Sequence, residues 1–296
     1  MTTAVRGFGA FRAYLEMIKI EHSIFALPFA MIGMMWASMS LGQGPWPGWW
    51  TFGWIVVAMV SCRSAAMAFN RIADRMIDAA NPRTKGRHIP AGILSMRHAS
   101  VFFWGSVALF VVSAAMLNPL ALALSPIALV VVLGYSNTKR FTYLCHFVLG
   151  LGLGIAPAAA WVAVTGTVGW PIVLLTAAVM FWTAGFDILY ALQDEEFDRR
   201  QGLRSIPADF GRVAAIRFSR ASHALAVLFL AAAVYAVGSG VAAYLGVLAA
   251  AALLAYEQSL VKPNDLSKID MAFFAVNGFV SIGLFAFVLV DVLMQA

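Results

Sequence analysis

An all-α membrane protein with nine spanning helices is the fold class this sequence predicts. Three observations carry it: 62% of the 296 residues are hydrophobic, only 11% are charged, and the apolar residues fall into long runs with short connections. An ordinary soluble domain carries roughly 25% charged residues. A helix rising about 1.5 Å per residue needs about 20 apolar residues to cross a hydrocarbon core about 30 Å thick. Such runs lie near 22–42, 51–69, 99–117, 119–136, 142–164, 171–190, 213–237, 240–261 and 272–294.

The order of the charges sets the expected orientation. Arg6, Arg12 and Lys19 precede the first span, and Arg71, Arg75, Arg83, Lys85, Arg87 and Arg97 separate the second from the third. Lys139 and Arg140 follow the fourth span, six arginines from Arg199 to Arg220 surround the sixth-to-seventh connection, and Lys262 and Lys268 precede the ninth. Nineteen of the 20 basic residues thus share one face, while LGQGPWPGWWT, Asn118-Pro119, TGTVGW and GSG on the other carry no charge. By the positive-inside rule the charged face is cytoplasmic, with the N-terminus inside and the C-terminus outside, as in a bacterial-type inner membrane. Trp46, Trp49 and Trp50 then belong to the outer interfacial belt. The net charge of +6 is a topological signal, and no nucleic-acid partner is expected.

The first 22 residues mix charges of both signs and do not read as a cleaved signal peptide. Cys62 and Cys145 fall inside spans, which suggests reduced buried thiols, neither a disulfide scaffold nor a zinc site. No long soluble segment points to an obligate protein partner. Arg63 is the one basic residue inside a span, a costly position that marks a functional site unless the side chain snorkels to the interface.

The second span ends in NRIADRMID and the sixth in DILYALQDEEFD. Asn70, Asp74 and Asp78 recur every four residues, and Asp187, Tyr190, Asp194 and Asp198 follow steps of three, four and four. On a helix a step of four drifts only about 40°, so each set stacks along one face. Glu195 and Glu196 rotate away and read as solvated neighbours. Oxygen ligands with little histidine or thiol nearby suit Mg²⁺, which uses one or two carboxylates plus phosphate oxygens of a substrate. The bland alternative is a pair of solvated helix ends bridged to neighbouring arginines. Two matching clusters on one face favour Mg²⁺, in two ions, bridged to a diphosphate.

A weak repeat supports the pairing. Asn70, Asp74 and Asp78 align with Tyr190, Asp194 and Asp198 at an offset of 120, and RHIPA aligns with RSIPA at 117. The chain then reads as a single domain, 1–138 forming a first four-helix half and 139–296 a second. Each acidic end runs into a basic loop, PRTKGRHIPAG or RRQGLRSIPADFG, suited to capping a cytoplasmic cavity and supplying cations.

These residues resemble the UbiA superfamily of intramembrane aromatic prenyltransferases over nearly the whole chain. Asn70, Asp74 and Asp78 fit its NxxxDxxxD motif; Asp187, Tyr190, Asp194 and Asp198 fit DxxYxxxDxxxD; Tyr135, Lys139 and Arg140 fit YxxxKR. The resemblance implies a helical bundle around a central cavity open to the cytoplasm and laterally to lipid. It implies transfer of a polyprenyl group from a polyprenyl diphosphate to a small aromatic acid. Asp74, Asp78, Asp194 and Asp198 would carry the metal with Asn70 and Asp187 in support, and Lys139, Arg140, Lys85, Arg87 and Tyr135 would meet the diphosphate. Arg63 would take the acceptor carboxylate, and Tyr190 would orient groups near the metal.

Ubiquinone-branch members begin their first helix with a Lys-Pro-x-Gly-like sequence, whereas this chain has KIEHSIFALPFA. That segment, together with GFDILYALQDEEFDRRQGLRSIPADFG, resembles members of the futalosine route to menaquinone, so 4-hydroxybenzoate and a dihydroxynaphthoate both stand as acceptors. His22 is either an acceptor contact or a helix-entry histidine. Haem, homogentisate or a lipid remain as other acceptors. A cation-coupled transporter is the rival class, disfavoured because the carboxylates sit at helix ends and the repeat spans an even number of helices. The GLGLG at 150–154 reads as helix packing or a widened cavity wall, and Pro28, Pro126 and Pro157 as helix kinks.

Overall fold

The computed structural model describes residues 25–296 and, ahead of them, Tyr14, Glu16 and Met17. Arg6, Arg12, Lys19, His22, the reading of the N-terminal segment and the opening of the first span lie outside the described residues. The order of elements is α1 (Leu27–Ser40), α2 (Trp49–Ala73), a short α3 (Arg75–Ala80), α4 (Met96–Leu117), α5 (Pro119–Thr138), α6 (Cys145–Thr165) and α7 (Trp170–Ala191). A 3₁₀ turn (Leu192–Asp194), short α8 (Glu195–Gln201), α9 (Ile206–Ala236), α10 (Val241–Leu260), a π-helical turn (Met271–Val276) and α11 (Asn277–Gln295) complete it.

Local chemistry sets the helix starts. Asn118 accepts a hydrogen bond from the Ala121 N–H at 2.9 Å and Pro119 opens α5. Ser95 and Ser205 cap α4 and α9 in the same way, through the His98 and Ala208 N–H groups. Pro28 stands in the first turn of α1, where it needs no partner for a missing N–H, so it does not kink the helix as expected. Pro126 and Pro157 do lie inside helices. In α9 the kink falls at Gly211, whose φ of 76° only glycine adopts freely.

Eight of these segments are long and apolar enough to cross a membrane. The remaining apolar helix, α1, has 14 residues, a rise of about 21 Å that falls short of the hydrocarbon core. Its residues from Pro28 to Ser38 are buried, and it packs on α6 and α11. An apolar circumference with no polar stripe is what such an enclosed helix requires.

The centre of the bundle is α7, gripped by α6 and α9. Glycine permits this approach: a Cβ on Gly150 would fall 2.2 Å from the Met180 carbonyl oxygen, and one on Gly154 2.6 Å from that of Thr176. Gly152, on the other side of α6, faces Val132 and borders a cavity. Both sequence readings of GLGLG therefore hold, for different glycines. On the far side α2 pairs with α4 and α5 and meets α6 only lightly, which leaves space between them.

Candidate active site

Both acidic motifs interrupt their helices at the same position. Asp74 ends α2 with φ −91° and ψ 6°, and Asp194 ends the 3₁₀ turn with φ −102° and ψ 1°. Each heads a short helix carrying the next carboxylate, Asp78 in α3 and Asp198 in α8. The expected continuous ladders are therefore broken ones. Backbone bonds of period four persist, from Asp74 N to Asn70 O at 2.9 Å and from Asp78 N to Asp74 O at 2.8 Å. The break re-aims the second carboxylate while keeping it one turn from the first.

The end of α5 supplies the cations for Asp74, and the 81–87 loop those for Asp78 and Asp194. Asp74, 2% exposed, meets Lys139 Nζ at 3.0 Å and Arg140 at 3.4 Å, both just past the end of α5. Asn70 Nδ2 donates to Asp74 at 3.0 Å and to Ser136 Oγ at 3.4 Å. Asp78, equally buried, pairs with Arg87 at 2.6 Å, and its carbonyl accepts from the Thr84 hydroxyl at 3.1 Å. Its second oxygen, Oδ2, is buried and has no hydrogen-bond partner among the described residues.

The 81–87 loop crosses from the first motif to the second. Arg83 ion-pairs with Asp194 through two nitrogens, donates to the Tyr190 hydroxyl at 3.3 Å, and stands 5.3 Å from the Tyr190 ring centre. Asn81 Nδ2 donates to Asp194 at 3.0 Å. Burial disfavours the Arg83 charge, but the hydrogen bond and charge of Asp194 outweigh it and hold the guanidinium above its usual value. Lys139, paired with Asp74, also acts electrostatically on Asp198. Loop and lysine together join the two acidic ends into one polar cluster.

Other positions depart from expectation. Lys85 is exposed and makes no ion pair among the described residues, whereas Arg83, which the motifs did not single out, holds Asp194. Arg71, counted with the cytoplasmic charges, is 7% exposed and donates to Asn70 Oδ1 at 3.3 Å. Glu195 is not a solvated neighbour: it is buried and bridges Arg199 at 2.9 Å and Arg212 at 2.7 Å, because α8 turns it inward. Glu196 is exposed as expected. Asp187 accepts from His146 Nδ1 at 2.7 Å, and Asp198 from the Ser205 hydroxyl at 3.3 Å. Spacing of the Asn-Pro-Arg-Thr run after Asp78 was the available signal for Arg83; His146 had none.

Next to this cluster lies an apolar cavity of about 320 Å³, walled by α2, α4, α5 and α6 with Ala26 and Ala30 ahead of and in α1. Between Leu149 and Ala163 it follows α6 for about 20 Å. Arg63 is the only charged side chain on its wall among the described residues, and Tyr135 its only phenol. Tyr135 is close enough to Arg63, Arg71 and Asp74 to feel their charges. Cys62 also borders the cavity, and both cysteines are free and part-buried.

A divalent cation fits the donor set. Oxygen atoms of Asn70, Asp74, Asp78, Asp194 and Asp198 are hard ligands, and the orphaned Asp78 oxygen lacks a donor that a cation would replace. Among the described residues no three His, Cys, Asp or Glu side chains form a closed ligand set. Mg²⁺ does not need one, since substrate phosphates normally complete its shell.

An integral, multi-pass helical bundle with an oxygen-rich, cation-ringed cluster at one end of an apolar cavity defines a membrane-embedded enzyme for a charged-headed apolar substrate. The pattern of the UbiA prenyltransferase family matches residues 30–283, and the chain belongs to that family. It is a prenyltransferase. Among relatives, 4-hydroxybenzoate octaprenyltransferase of Aliivibrio fischeri (strain MJ11) is 32% identical over 269 residues, covering 90% of this chain and 91% of that protein. The enzyme of the same name from Vibrio cholerae (strain M66-2) is 30% identical over 95% of this chain and 98% of its own. A UbiA homologue from Aeropyrum pernix K1 in its apo form superposes with a TM-score of 0.82 at 36% identity, covering 92% and 98% of the two chains. One from Archaeoglobus fulgidus, bound to DMAPP and Mg²⁺, shares the fold with a TM-score of 0.70 at 18% identity, over 94% and 98%.

Proposed function

We propose that this chain transfers a polyprenyl group from polyprenyl diphosphate to a small aromatic acid in quinone biosynthesis, with Mg²⁺, in two ions, held by Asp74, Asp78, Asp194 and Asp198. Asn70 and Asp187 support them. One observation carries the reading: Arg63 and Tyr135 mark an apolar cavity beside the cluster that contains both Asp motifs. The names of the relatives favour 4-hydroxybenzoate; the KIEHSIFALPFA segment favours dihydroxynaphthoate. The proposed topology is nine spans in one domain of two halves, the first being the apolar run 22–42 of which α1 is the described helical part, with the N-terminus and the cluster cytoplasmic. Lys139, Arg140, Arg87 and the long row of basic loops support that side.

Bound Mg²⁺ would supply Lewis-acid neutralisation of the departing diphosphate. The chain does the rest. Lys139, Arg140 and Arg87, now paired to the carboxylates that would hold the metal, would turn to the phosphate oxygens, with Lys85 reaching in from the exposed loop. The Tyr190 hydroxyl orients groups at the metal cluster. Arg63 holds the acceptor carboxylate so that its electron-rich ring faces the allylic carbon. That carbon–oxygen bond breaks, the ring attacks, and loss of the ring proton restores aromaticity. Phe110 and Tyr135 are the aromatic faces on the cavity wall, and a desolvated cation–π contact contributes about 2 kcal/mol. The apolar lining excludes water that would capture the cation.

Purified protein with Mg²⁺, a polyprenyl diphosphate and either acid is expected to release pyrophosphate and form a lipid-soluble product; EDTA should stop both. Turnover that persists in EDTA would refute the metal role. Comparing the two acids with one donor assigns the acceptor. Ala128, on the cavity wall, lies seven residues, about 10 Å, along α5 from Tyr135. Ala128→Phe is expected to spare a two-isoprene donor while lowering kcat/KM for an eight-isoprene donor about tenfold or more, the equivalent of about 1.4 kcal/mol. Equal losses with both would place the prenyl chain elsewhere.

A further inference from the structure

His146 is the second residue of α6 and is 2% exposed, and both of its ring nitrogens are engaged. The Ile206 N–H donates to Nε2 at 3.3 Å, so the ring proton sits on Nδ1, which donates to Asp187 Oδ2 at 2.7 Å. Ile206 is the first residue of α9, and Ser205 before it donates its hydroxyl to Asp198. The backbone of Arg204, one residue further back, donates to the Lys139 carbonyl. One imidazole therefore ties α6, α7 and the first turn of α9 together behind the second acidic motif.

We infer that His146 is a positioning residue for that motif: it holds the Asp187 carboxylate by Oδ2, leaving Oδ1 for a divalent cation, and pins the turn from which Ser205 steadies Asp198. The inference rests on the metal reading above. Asp187 is part-exposed, with 24% of its side chain accessible, so burial alone does not oblige it to find a partner. A ring oriented by one bond in order to make another is the pattern by which outer-shell groups fix ligating carboxylates. Mere satisfaction of a buried histidine would leave metal affinity untouched.

The test is Mn²⁺ binding to the detergent-solubilised full chain, followed by electron paramagnetic resonance with inorganic pyrophosphate present. His146→Leu is expected to weaken Mn²⁺ binding about 10–100-fold, the usual cost of losing such a group. His146→Asn, whose amide nitrogen stands near Nδ1, should restore most of it; His146→Gln, which favours the Ile206 side, should restore less. Combined with Asp187→Asn, His146→Leu should add a smaller loss than it causes alone, the part that runs through Ile206 and Ser205 to Asp198. Wild-type affinity in His146→Leu, an equal loss with and without Asp187, or no advantage of Asn over Gln would each overturn the inference. If His146→Leu does not fold, the Asn and Gln comparison decides. A chain that shows this coupling yet releases no pyrophosphate would refute prenyl transfer and leave the role of His146 standing.

Discussion

Asp74→Ala and Asp194→Ala are each expected to lower kcat for pyrophosphate release at least about a hundredfold, the scale on which removal of one preorganised electrostatic group acts. The two carboxylates come from separate helices, and each heads the short helix that presents its partner, Asp78 or Asp198. Loss of either should therefore disable the whole site. Asp74 is also an ion-pair hub for Lys139 and Arg140, so Ala leaves two cations without their partner. Breaking a buried pair costs about 3–5 kcal/mol, but both cations here are partly exposed and rehydrate, which lowers that figure. Asp→Asn variants separate the effects: they keep the shape and one acceptor oxygen, remove the charge and turn the other oxygen into an NH2 donor. Inactive but folded Asn variants, judged by thermal unfolding in detergent, are the expected outcome. Near wild-type turnover in both would remove the metal mechanism.

The second large effect is expected at Arg63. Arg63→Ala should raise KM for the aromatic acid about tenfold or more while KM for the prenyl diphosphate stays within about twofold, because a charge-assisted hydrogen bond to a carboxylate is worth about 1.5–3 kcal/mol. The prediction draws on its place as the charged group of an otherwise apolar wall. Arg63→Lys should recover little, since a point charge does not reproduce the guanidinium fork. An acceptor lacking its carboxylate should be indifferent to the substitution. Unchanged acceptor kinetics in Arg63→Ala would assign the residue to bundle packing.

The spans were legible because hydropathy is local. Predicted runs at 119–136 and 171–190 became α5, Pro119–Thr138, and α7, Trp170–Ala191. The period of four in Asn70, Asp74 and Asp78 likewise survived as backbone hydrogen bonds. It did not reveal the breaks at Asp74 and Asp194, since a helix and a helix with one bridge-region residue share nearly the same spacing. Glu195 was misplaced for that reason: extrapolating an unbroken helix rotated it outward, whereas α8 buries it. Pro28 was misread because its role depends on where a helix begins, and a continuous apolar run conceals that point.

The sequence by itself determined the membrane class, most helix boundaries, the two carboxylate motifs and the family, because each is written in residues close together along the chain. Only the tertiary structure decided which partner holds which carboxylate. Asn81 finds Asp194 across 113 positions, Arg140 finds Asp74 across 66, and His146 finds Asp187 across 41. Such pairings depend on how helices lie against one another, through glycine contacts and caps far from the motifs, and no local period encodes them.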